Sequence, residues 1–284
     1  MNAKAPINNR PEIPVREPGL RPSAEVPRHF HGGDPFLSAF FAALSSVFPD
    51  GERFFIDSVR HYRKELRDPE LIRQVRAFIG QEAHHGREHE TFNEWLEEKG
   101  YPMAPVISQV RQGLEAAREN LSPRHQLAMT ISLEHFTAIM ANRFLQDPQL
   151  SRQLHPEIRE LFLWHAVEET EHKAVAYDVY EAVEGDYWTR VLVMLEITVF
   201  FWMHMMQITW DFLKHEGNAG ILRMARGLGW LWVRPGPLRK LLPEYLAWFM
   251  PGFHPWQQDN RELIEPLQRR MAEWELPARG EAAD

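Results

Sequence analysis

The sequence contains no cysteine among its 284 residues. This absence excludes thiolate metal sites, iron–sulfur clusters, disulfide frameworks and a cysteine nucleophile together. Basic residues are also too few for a protein that binds nucleic acid, because 32 Lys and Arg face 40 Asp and Glu, a formal charge of −8, and phosphates require a basic face. Any metal ion must therefore be bound by carboxylates and by some of the 14 histidines.

The first 35 residues lack the apolar run of a secretion signal and the Arg/Ser-rich helix of a transit peptide. Their many prolines predict an extended arm over residues 1–35, either disordered or lying on the body of the protein. We expect a metal-binding helical bundle over residues 36–184 and a C-terminal helical extension, packed on the bundle, over residues 185–284. Without a targeting signal, a cytoplasmic location is the default.

Strand-like alternation is missing from residues 35–184, where signals for helix starts and stops recur instead. Four long helices are predicted, over about residues 49–66, 69–99, 123–146 and 156–183. Their lengths and short connections predict an all-α fold, a ferritin-like four-helix bundle with additional C-terminal helices.

Ionisable residues interrupt the apolar stripes of the second and fourth predicted helices. The inward positions of the second helix, spaced alternately by four and three, are Leu71, Val75, Phe78, Glu82, His85, His89, Phe92 and Leu96. Those of the fourth helix are Ile158, Phe162, His165, Glu169, His172, Ala176 and Val179. Because an uncompensated buried charge is costly, a shared cation is the simplest explanation of this pattern.

Glu82 and His85 form a Glu-x-x-His pair, and Glu169 and His172 form another. A di-iron carboxylate bundle combines two such pairs with one glutamate from each of the other two helices. Two glutamates occupy the corresponding inward positions of the first and third helices, Glu52 and Glu134. The pattern predicts a site for two metal ions, with iron expected and manganese as the alternative.

Each of these residues has a simpler interpretation when it is taken alone. A single Glu-x-x-His occurs by chance on glutamate-rich helices, and an isolated Glu52 is more typical of a helix surface. His89 and His165 lie one turn from the pairs on the same face, and each is either a further ligand or a hydrogen-bonding partner of one. Residues off the stripes are expected to be solvated or outside the ligand set; these are Glu168, Glu171, His84 and His135.

Motif-bearing segments recur along the chain: FPDGERFFIDSVRHY, FIGQEAHHGREHETFN, LEHFTAIMANR, LWHAVEETEHKAVAYDVYE and MPGFHPW. In these segments the chain resembles a bacterial family of predicted metal-dependent hydrolases, and the resemblance covers most of the chain after the arm. By its ligand pattern this family looks like a relative of the ferritin-like di-iron proteins. The run from His165 to His172 is similar to the extra-histidine arrangement of the arylamine N-oxygenases. That resemblance implies two irons held by Glu52, Glu82, His85, Glu134, His165, Glu169 and His172, and it leaves the place of His89 open.

The ligand set and the family description imply different reactions. A carboxylate-rich site on four helices favours an oxygen-activating di-iron enzyme, which oxidises or hydroxylates a hydrophobic substrate with O2 and an electron donor. A metal-dependent hydrolase that uses a metal-bound water is the alternative, and a non-catalytic iron-binding protein is a third. The substrate is expected to be hydrophobic because the residues around the ligands are mainly Phe, Leu, Val and Ala.

The C-terminal region begins with an apolar run over residues 191–213, close to the length of a membrane span. Glu196, His204 and Gln207 interrupt it, which favours a fifth helix that closes the bundle. Residues 221–249 combine Trp and Leu with arginine and lysine, the composition of an interfacial helix. Peripheral membrane contact is therefore one alternative for this segment. The oligomeric state is left open, with a homodimer among the alternatives.

Overall fold

The computed structural model describes residues 11–183 and 185–277. Within these residues the chain is helical without β-strands, so the all-α prediction is confirmed. The helices are α1 (Pro35–His61), α2 (Pro69–Glu98), α3 (Met103–Asn120), α4 (Pro123–Gln146), α5 (Pro148–Arg152), α6 (Pro156–His172), α7 (Val175–Ala182), α8 (Tyr187–His215), α9 (Ile221–Trp232), α10 (Leu242–Ala247) and α11 (Arg261–Met271). Short 3₁₀ turns cover Arg239–Leu241, Pro255–Gln257 and Ala272–Trp274.

The long helices α2 and α4 each begin with an N-cap residue followed by a proline. The Asp68 carboxylate accepts a hydrogen bond from a backbone N–H in the first turn of α2, and Pro69 occupies a position that needs no donor. Ser122 caps α4 in the same way. Gly100, with a φ of 86°, follows the end of α2. These local signals explain why the observed bounds of α2 and α4 lie within one residue of the predicted ones.

The first helix begins at Pro35 rather than at the predicted Pro49. Its start carries the same signal as α2, because the Asp34 carboxylate accepts a backbone N–H at 2.9 Å. Pro49 lies inside α1, where it cannot donate to the carbonyl of Ser45. The side-chain amide of Asn93 donates to that carbonyl at 3.1 Å, which satisfies the group that the proline leaves free.

Two further helices differ from the prediction. The segment expected as one helix over residues 156–183 forms α6 and α7, which are separated at Lys173. The Lys173 ammonium donates to the carbonyl of Gln258 and to the side chain of Asn260. The helix α3 was also missing from the prediction. Its apolar residues Ile107, Val110 and Leu114 follow a helical period and are partly buried against the core, while Met103 and Val106 are fully buried.

Helices α1, α2, α4 and α6 form a ring around a buried interior: α1 packs against α2 and α4, and α6 packs against the same two helices. The helix α8 packs on the outside of α1 and α4. By length and composition α8 is apolar enough to cross a membrane, a test that core helices of soluble proteins also pass. Its residues Met194, Met205 and Phe212 are buried, so one face belongs to the core. The cytoplasmic location stays a prediction.

The described part of the arm, residues 11–34, lies against α2 and α6. The backbone N–H groups of Gly19 and Leu20 donate to the Glu88 carboxylate on α2. Val15 packs where Gly80 of α2 has no side chain, since a Cβ there would lie 2.7 Å from a Val15 methyl carbon. Residues 1–10 of the predicted arm, Glu184 at the end of the predicted bundle and residues 278–284 of the predicted extension lie outside the described residues.

Candidate metal centre

The interior of the ring brings the predicted ligands together. Three groups of side chains have ligand atoms that lie within 4.8 Å of one another: Glu52, His85 and His165; Glu82, His85 and Glu169; Glu82, Glu134 and His172. All members of these groups are buried. Among the described residues, the groups contain every predicted ligand except His89.

The closest approaches join imidazole nitrogens to carboxylate oxygens. His172 Nε2 lies 3.1 Å from Glu82 Oε1 and 3.6 Å from both Glu134 Oε2 and Glu169 Oε1. His85 Nδ1 lies 3.6 Å from Glu82 Oε1 and 3.7 Å from Glu169 Oε1. Both nitrogens, and both oxygens of Glu82 and Glu134, lack a hydrogen-bond partner among the described residues. Buried nitrogen and oxygen atoms that converge without hydrogen-bond partners are suited to bind a metal ion.

Glu52 is the candidate ligand that α1 contributes. Both of its carboxylate oxygens are buried without a hydrogen-bond partner in the described structure. Gly86 of α2 faces it, and a Cβ at that position would lie 3.2 Å from Glu52 Oε2. The glycine therefore leaves space for the carboxylate.

Electrostatics separates the glutamates into two kinds. Burial raises the pKa of Glu52 and of Glu134 well above the ordinary value, and the Glu82 carboxylate adds to the increase. Burial acts in the same direction on Glu169, but His172 holds the pKa of Glu169 well below its ordinary value. Four carboxylates in this interior carry four negative charges when all are ionised, and two divalent cations would balance them.

His89 belongs to a chain of hydrogen bonds rather than to one of the three groups. Its Nδ1 lies 2.9 Å from Ser45 Oγ, and its Nε2 lies 2.7 Å from His165 Nδ1. The Ser45 hydroxyl donates to Asn93 Oδ1 at 2.7 Å. The serine oxygen must therefore accept the proton on His89 Nδ1. Burial, with His165 beside it, lowers the pKa of His89 well below its ordinary value, so the ring is neutral and Nε2 is an acceptor.

This series of hydrogen bonds determines which ring nitrogen of His165 carries the proton. Because His89 Nε2 accepts, His165 Nδ1 donates. Burial lowers the pKa of His165 as well, so its Nε2 carries a lone pair. That lone pair points towards Glu169 Oε1, 3.0 Å away, and two facing acceptors fit a cation. The geometry favours His165 as a ligand and His89 as its hydrogen-bonding partner, while direct ligation by His89 stays a prediction.

Glu168 and Glu171 are buried, so the prediction that they are solvated was wrong. Glu168 Oε2 lies 3.0 Å from His85 Nε2, and its Oε1 accepts from Trp164 and Arg16 at 3.1 Å each. Arg16 also donates twice to Glu171, at 2.9 Å. The apolar stripe assigns the outer face of α6 to solvent, whereas the arm and α11 cover that face.

Arg16, Glu168 and Glu171 form a layer of buried polar residues outside the ligands, and Gln81 connects this layer to His172 of the other Glu-x-x-His pair. The Gln81 amide donates to Glu171 Oε2 at 2.6 Å, and its Oε1 lies 2.8 Å from His172 Nδ1. His85 and His172 thus each turn one nitrogen to the ring interior and the other to a buried partner, which fixes the imidazole orientation. Sequence reasoning missed Arg16 and Gln81, because nothing in the arm or in the helix period marks either residue.

An apolar cavity of about 100 Å³ borders this site. His165 and Glu169 belong to its wall, and the remaining lining is mostly apolar, including Phe41, Phe48, Met140, Phe144, Leu231 and Leu238. Among the described lining residues, Arg143 is the only lysine or arginine, and Asp147 binds its guanidinium at 2.7 Å. The cavity is therefore suited to an uncharged, apolar group.

A family model described as predicted metal-dependent hydrolase matches residues 14–259. The chain belongs to this family. The matched residues include Arg16 and all eight predicted ligands. A search of curated proteins and a search of solved structures found no match. The family description, together with the clustered ligands, supports a metal-dependent enzyme and favours the hydrolase alternative over the oxygen-activating enzyme that the ligand pattern led us to expect.

Proposed function

We propose that this family member is a metal-dependent hydrolase that binds two divalent metal ions inside the ring of α1, α2, α4 and α6. The observation that supports this proposal is a set of buried potential metal-ligand atoms that lack hydrogen-bond partners. They are both carboxylate oxygens of Glu52, Glu82 and Glu134, Oε2 of Glu169, Nδ1 of His85 and Nε2 of His172. Since buried polar atoms are normally paired, their convergence supports a site for cations. His165 Nε2 is the remaining ligand atom of the proposal.

We further propose that the ring is a ferritin-like bundle and that the bound metal is iron, with manganese as the alternative. The order of the ligands supports this: α1 supplies one glutamate, α2 a Glu-x-x-His pair, α4 one glutamate and α6 the second pair. That order is typical of di-iron carboxylate bundles. Carboxylate and imidazole ligands suit both metals.

For hydrolysis, the bound metals would supply a water molecule with a lowered pKa and polarise the scissile carbonyl. The chain itself binds the apolar part of the substrate against Phe41, Phe144 and Leu231. A neutral ester or amide whose apolar group is small enough for the cavity of about 100 Å³ fits these conditions, because the Arg143 guanidinium is already bound by Asp147.

Oxidation of a hydrophobic substrate is the second candidate function. The observation that favours it is the distribution of four glutamates and three histidines over four helices, since ligands of hydrolytic sites more often lie on loops. This reaction requires O2 and an electron donor as co-reactants. The same cavity would bind the substrate.

The experiment starts from full-length protein that is stripped of metal and then loaded anaerobically with Fe(II), Mn(II) or Zn(II). Bound metal is counted, and hydrolysis is measured with 4-nitrophenyl esters of increasing chain length. We expect about two ions per chain. Ester hydrolysis should become faster with chain length only up to the length that the cavity of about 100 Å³ accepts. Admission of oxygen to the Fe(II) protein tests the second candidate, which requires a visible absorption change and oxygen consumption.

Glu134→Gln removes a ligand, and Glu97→Gln, on the exposed end of α2, is the matched control. The ligand variant should bind fewer ions and lose hydrolysis, whereas the control should match the wild type. Equal metal content in the two variants would disprove the site. Normal metal binding with oxygen consumption and without ester hydrolysis would replace the hydrolase with the oxidase.

A further inference from the structure

The helix α8 has a second apolar face, which is not covered by any described part of the chain. Its residues are spaced by four, three, four and four: Trp188, Leu192, Leu195, Val199 and Met203. Trp188 is 68% exposed and Met203 is 62% exposed. The stripe runs about 22 Å along the helix. Soluble monomers rarely expose a continuous apolar stripe of this length without a binding partner.

Residues 232–250 run beside α8 and extend this face. The rings of Trp202 and Trp232 lie 6.1 Å apart, and at the start of α8 the Tyr187 hydroxyl donates to the carbonyl of Phe249. This neighbouring segment exposes further apolar side chains, namely Trp232, Val233, Leu242, Leu246 and Met250. We call these five residues and the five of α8 the outer apolar face.

The charges of the segment beside α8 are opposite in sign to those of the whole protein, while α8 itself carries one exposed carboxylate next to the stripe, Glu196, which His125 approaches at 3.1 Å. Residues 221–250 contain five arginines and lysines and one carboxylate, Glu244, in a chain whose formal charge is −8. Arg226, Arg234 and Arg239 are exposed. A second copy of the chain, docked about a two-fold axis, would bring these like charges together. An anionic surface would pair with them instead.

We propose that the outer apolar face docks the protein on an anionic lipid surface. Exposed Trp and Leu side chains next to arginines are the chemistry that binds the boundary between headgroups and acyl chains. The helix α8 would lie along this boundary and not cross it, because its other face is packed on α1 and α4. Leu238 of this segment, with Trp230 and Leu231 just before it in α9, lines the cavity beside the candidate metal centre. Docking would therefore place the cavity wall next to the lipid.

The test is flotation of the full-length protein with vesicles of phosphatidylcholine, with and without phosphatidylglycerol. We expect binding to the anionic vesicles at low salt and weaker binding at high salt. Arg234→Gln with Arg239→Gln should weaken binding by about tenfold or more. Leu195→Gln with Val199→Gln should abolish it. Metal content and circular dichroism should match the wild type, which separates lost docking from lost folding.

Two exposed arginines of α2, Arg76 and Arg87, supply the matched control for charge. Their change to glutamine alters the net charge by the same amount on a helix that does not pack against α8, and it should leave flotation unchanged. An equal loss of vesicle binding in the two arginine double variants would overturn the proposal. No association of the wild type at low salt would also overturn it. A dimer that Leu195→Gln with Val199→Gln converts to monomer, without vesicle binding, would assign the face to a second copy. Vesicle binding is measured without substrate, so its failure leaves the metal-site proposal intact.

Discussion

At the scale of single residues, the buried histidines differ in where their protons lie. The proton of His165 is set by a chain that begins at Pro49, which frees the Ser45 carbonyl for the amide of Asn93. Because the nitrogen of that amide is thereby identified, its oxygen is the acceptor for the Ser45 hydroxyl. A proline inside α1 thus determines, through a series of donors and acceptors, which nitrogen of His165 faces the metal centre.

This chain predicts the behaviour of two adjacent serines. Ser45→Ala removes the acceptor for His89 Nδ1–H, so His165 loses its preferred orientation and tautomer. We expect metal affinity to fall by about 10- to 100-fold. Ser46 is also buried, but its hydroxyl donates to the Ala43 carbonyl within α1, and Ser46→Ala should retain the affinity. Competition with a chelator measures both, and equal affinities would contradict the role of the chain.

His31 allows a prediction of pH dependence away from the metal centre. Its ring is buried between Phe41 and Trp230, neither ring nitrogen has a described partner, and burial lowers its pKa from 6.5 to about 4. Between these two pH values the unfolded chain binds a proton that the folded chain does not. The contribution to stability is therefore complete above pH 6.5 and is lost as the pH falls, by about 3 kcal/mol in total.

His31→Phe keeps an aromatic ring in the same place and removes the titration. Urea unfolding between pH 7 and pH 4 should show a smaller loss of free energy for this variant than for the wild type. His215→Phe changes an exposed histidine and should follow the wild-type curve. Parallel curves for all three proteins would show that the His31 ring is protonated in the folded state.

At the scale of helices, local signals predicted most of the architecture. The start of α2 follows from Asp68 and Pro69, and the inward stripe of α2 placed Glu82 and His85 correctly in the interior. The start of α1 was misplaced because Pro49 is itself a start signal, and its acceptance inside the helix depends on Asn93, a residue distant in sequence. Tertiary compensation of this kind is not visible in local periodicity.

Two glycines of α9 predict opposite effects of the same substitution. A Cβ at Gly227 would overlap the ring of Phe36 on α1, whereas a Cβ at Gly229 would meet nothing within 4 Å. Gly227→Ala should destabilise the protein by about 1–3 kcal/mol by forcing α9 away from α1. Gly229→Ala should stabilise it by about 0.5 kcal/mol through helix propensity. Thermal unfolding measures both, and two effects of the same sign would contradict the packing of α9 on α1.

At the scale of the whole molecule, the two ends of the described chain meet over the outer face of the ring. The arm residue Val15 accepts a hydrogen bond from the backbone of Leu276 at 2.8 Å, and Arg16 approaches Glu275 at 3.5 Å. Sequence reasoning found the residues that face the interior, because periodicity reports one face of one helix. It missed the layer that holds them, because Arg16 and Glu168 come together only when the arm folds back on α6.

Arg16 therefore gives a prediction about the whole fold. It is fully buried between Glu168 and Glu171, and Arg16→Gln would leave two buried carboxylates without their cation. We expect the free energy of unfolding to fall by about 3–5 kcal/mol, and metal affinity to fall because Glu168 holds His85. Arg21→Gln is the control within the same arm, since Arg21 forms exposed pairs with Glu94 and Glu98 that are worth about 0–1 kcal/mol.

Urea unfolding of the metal-free protein separates the charge effect from simple loss of packing. Adding Glu171→Gln to Arg16→Gln removes one of the two uncompensated charges and should restore part of the stability, as a double-mutant cycle would detect. If Arg16→Gln lowered the free energy of unfolding as little as Arg21→Gln, the arm would not contribute to the stability of the helical ring. Partial rescue by Glu171→Gln would instead make the arm an electrostatic component of the ring, because Arg16 neutralises the buried acids that orient the histidines.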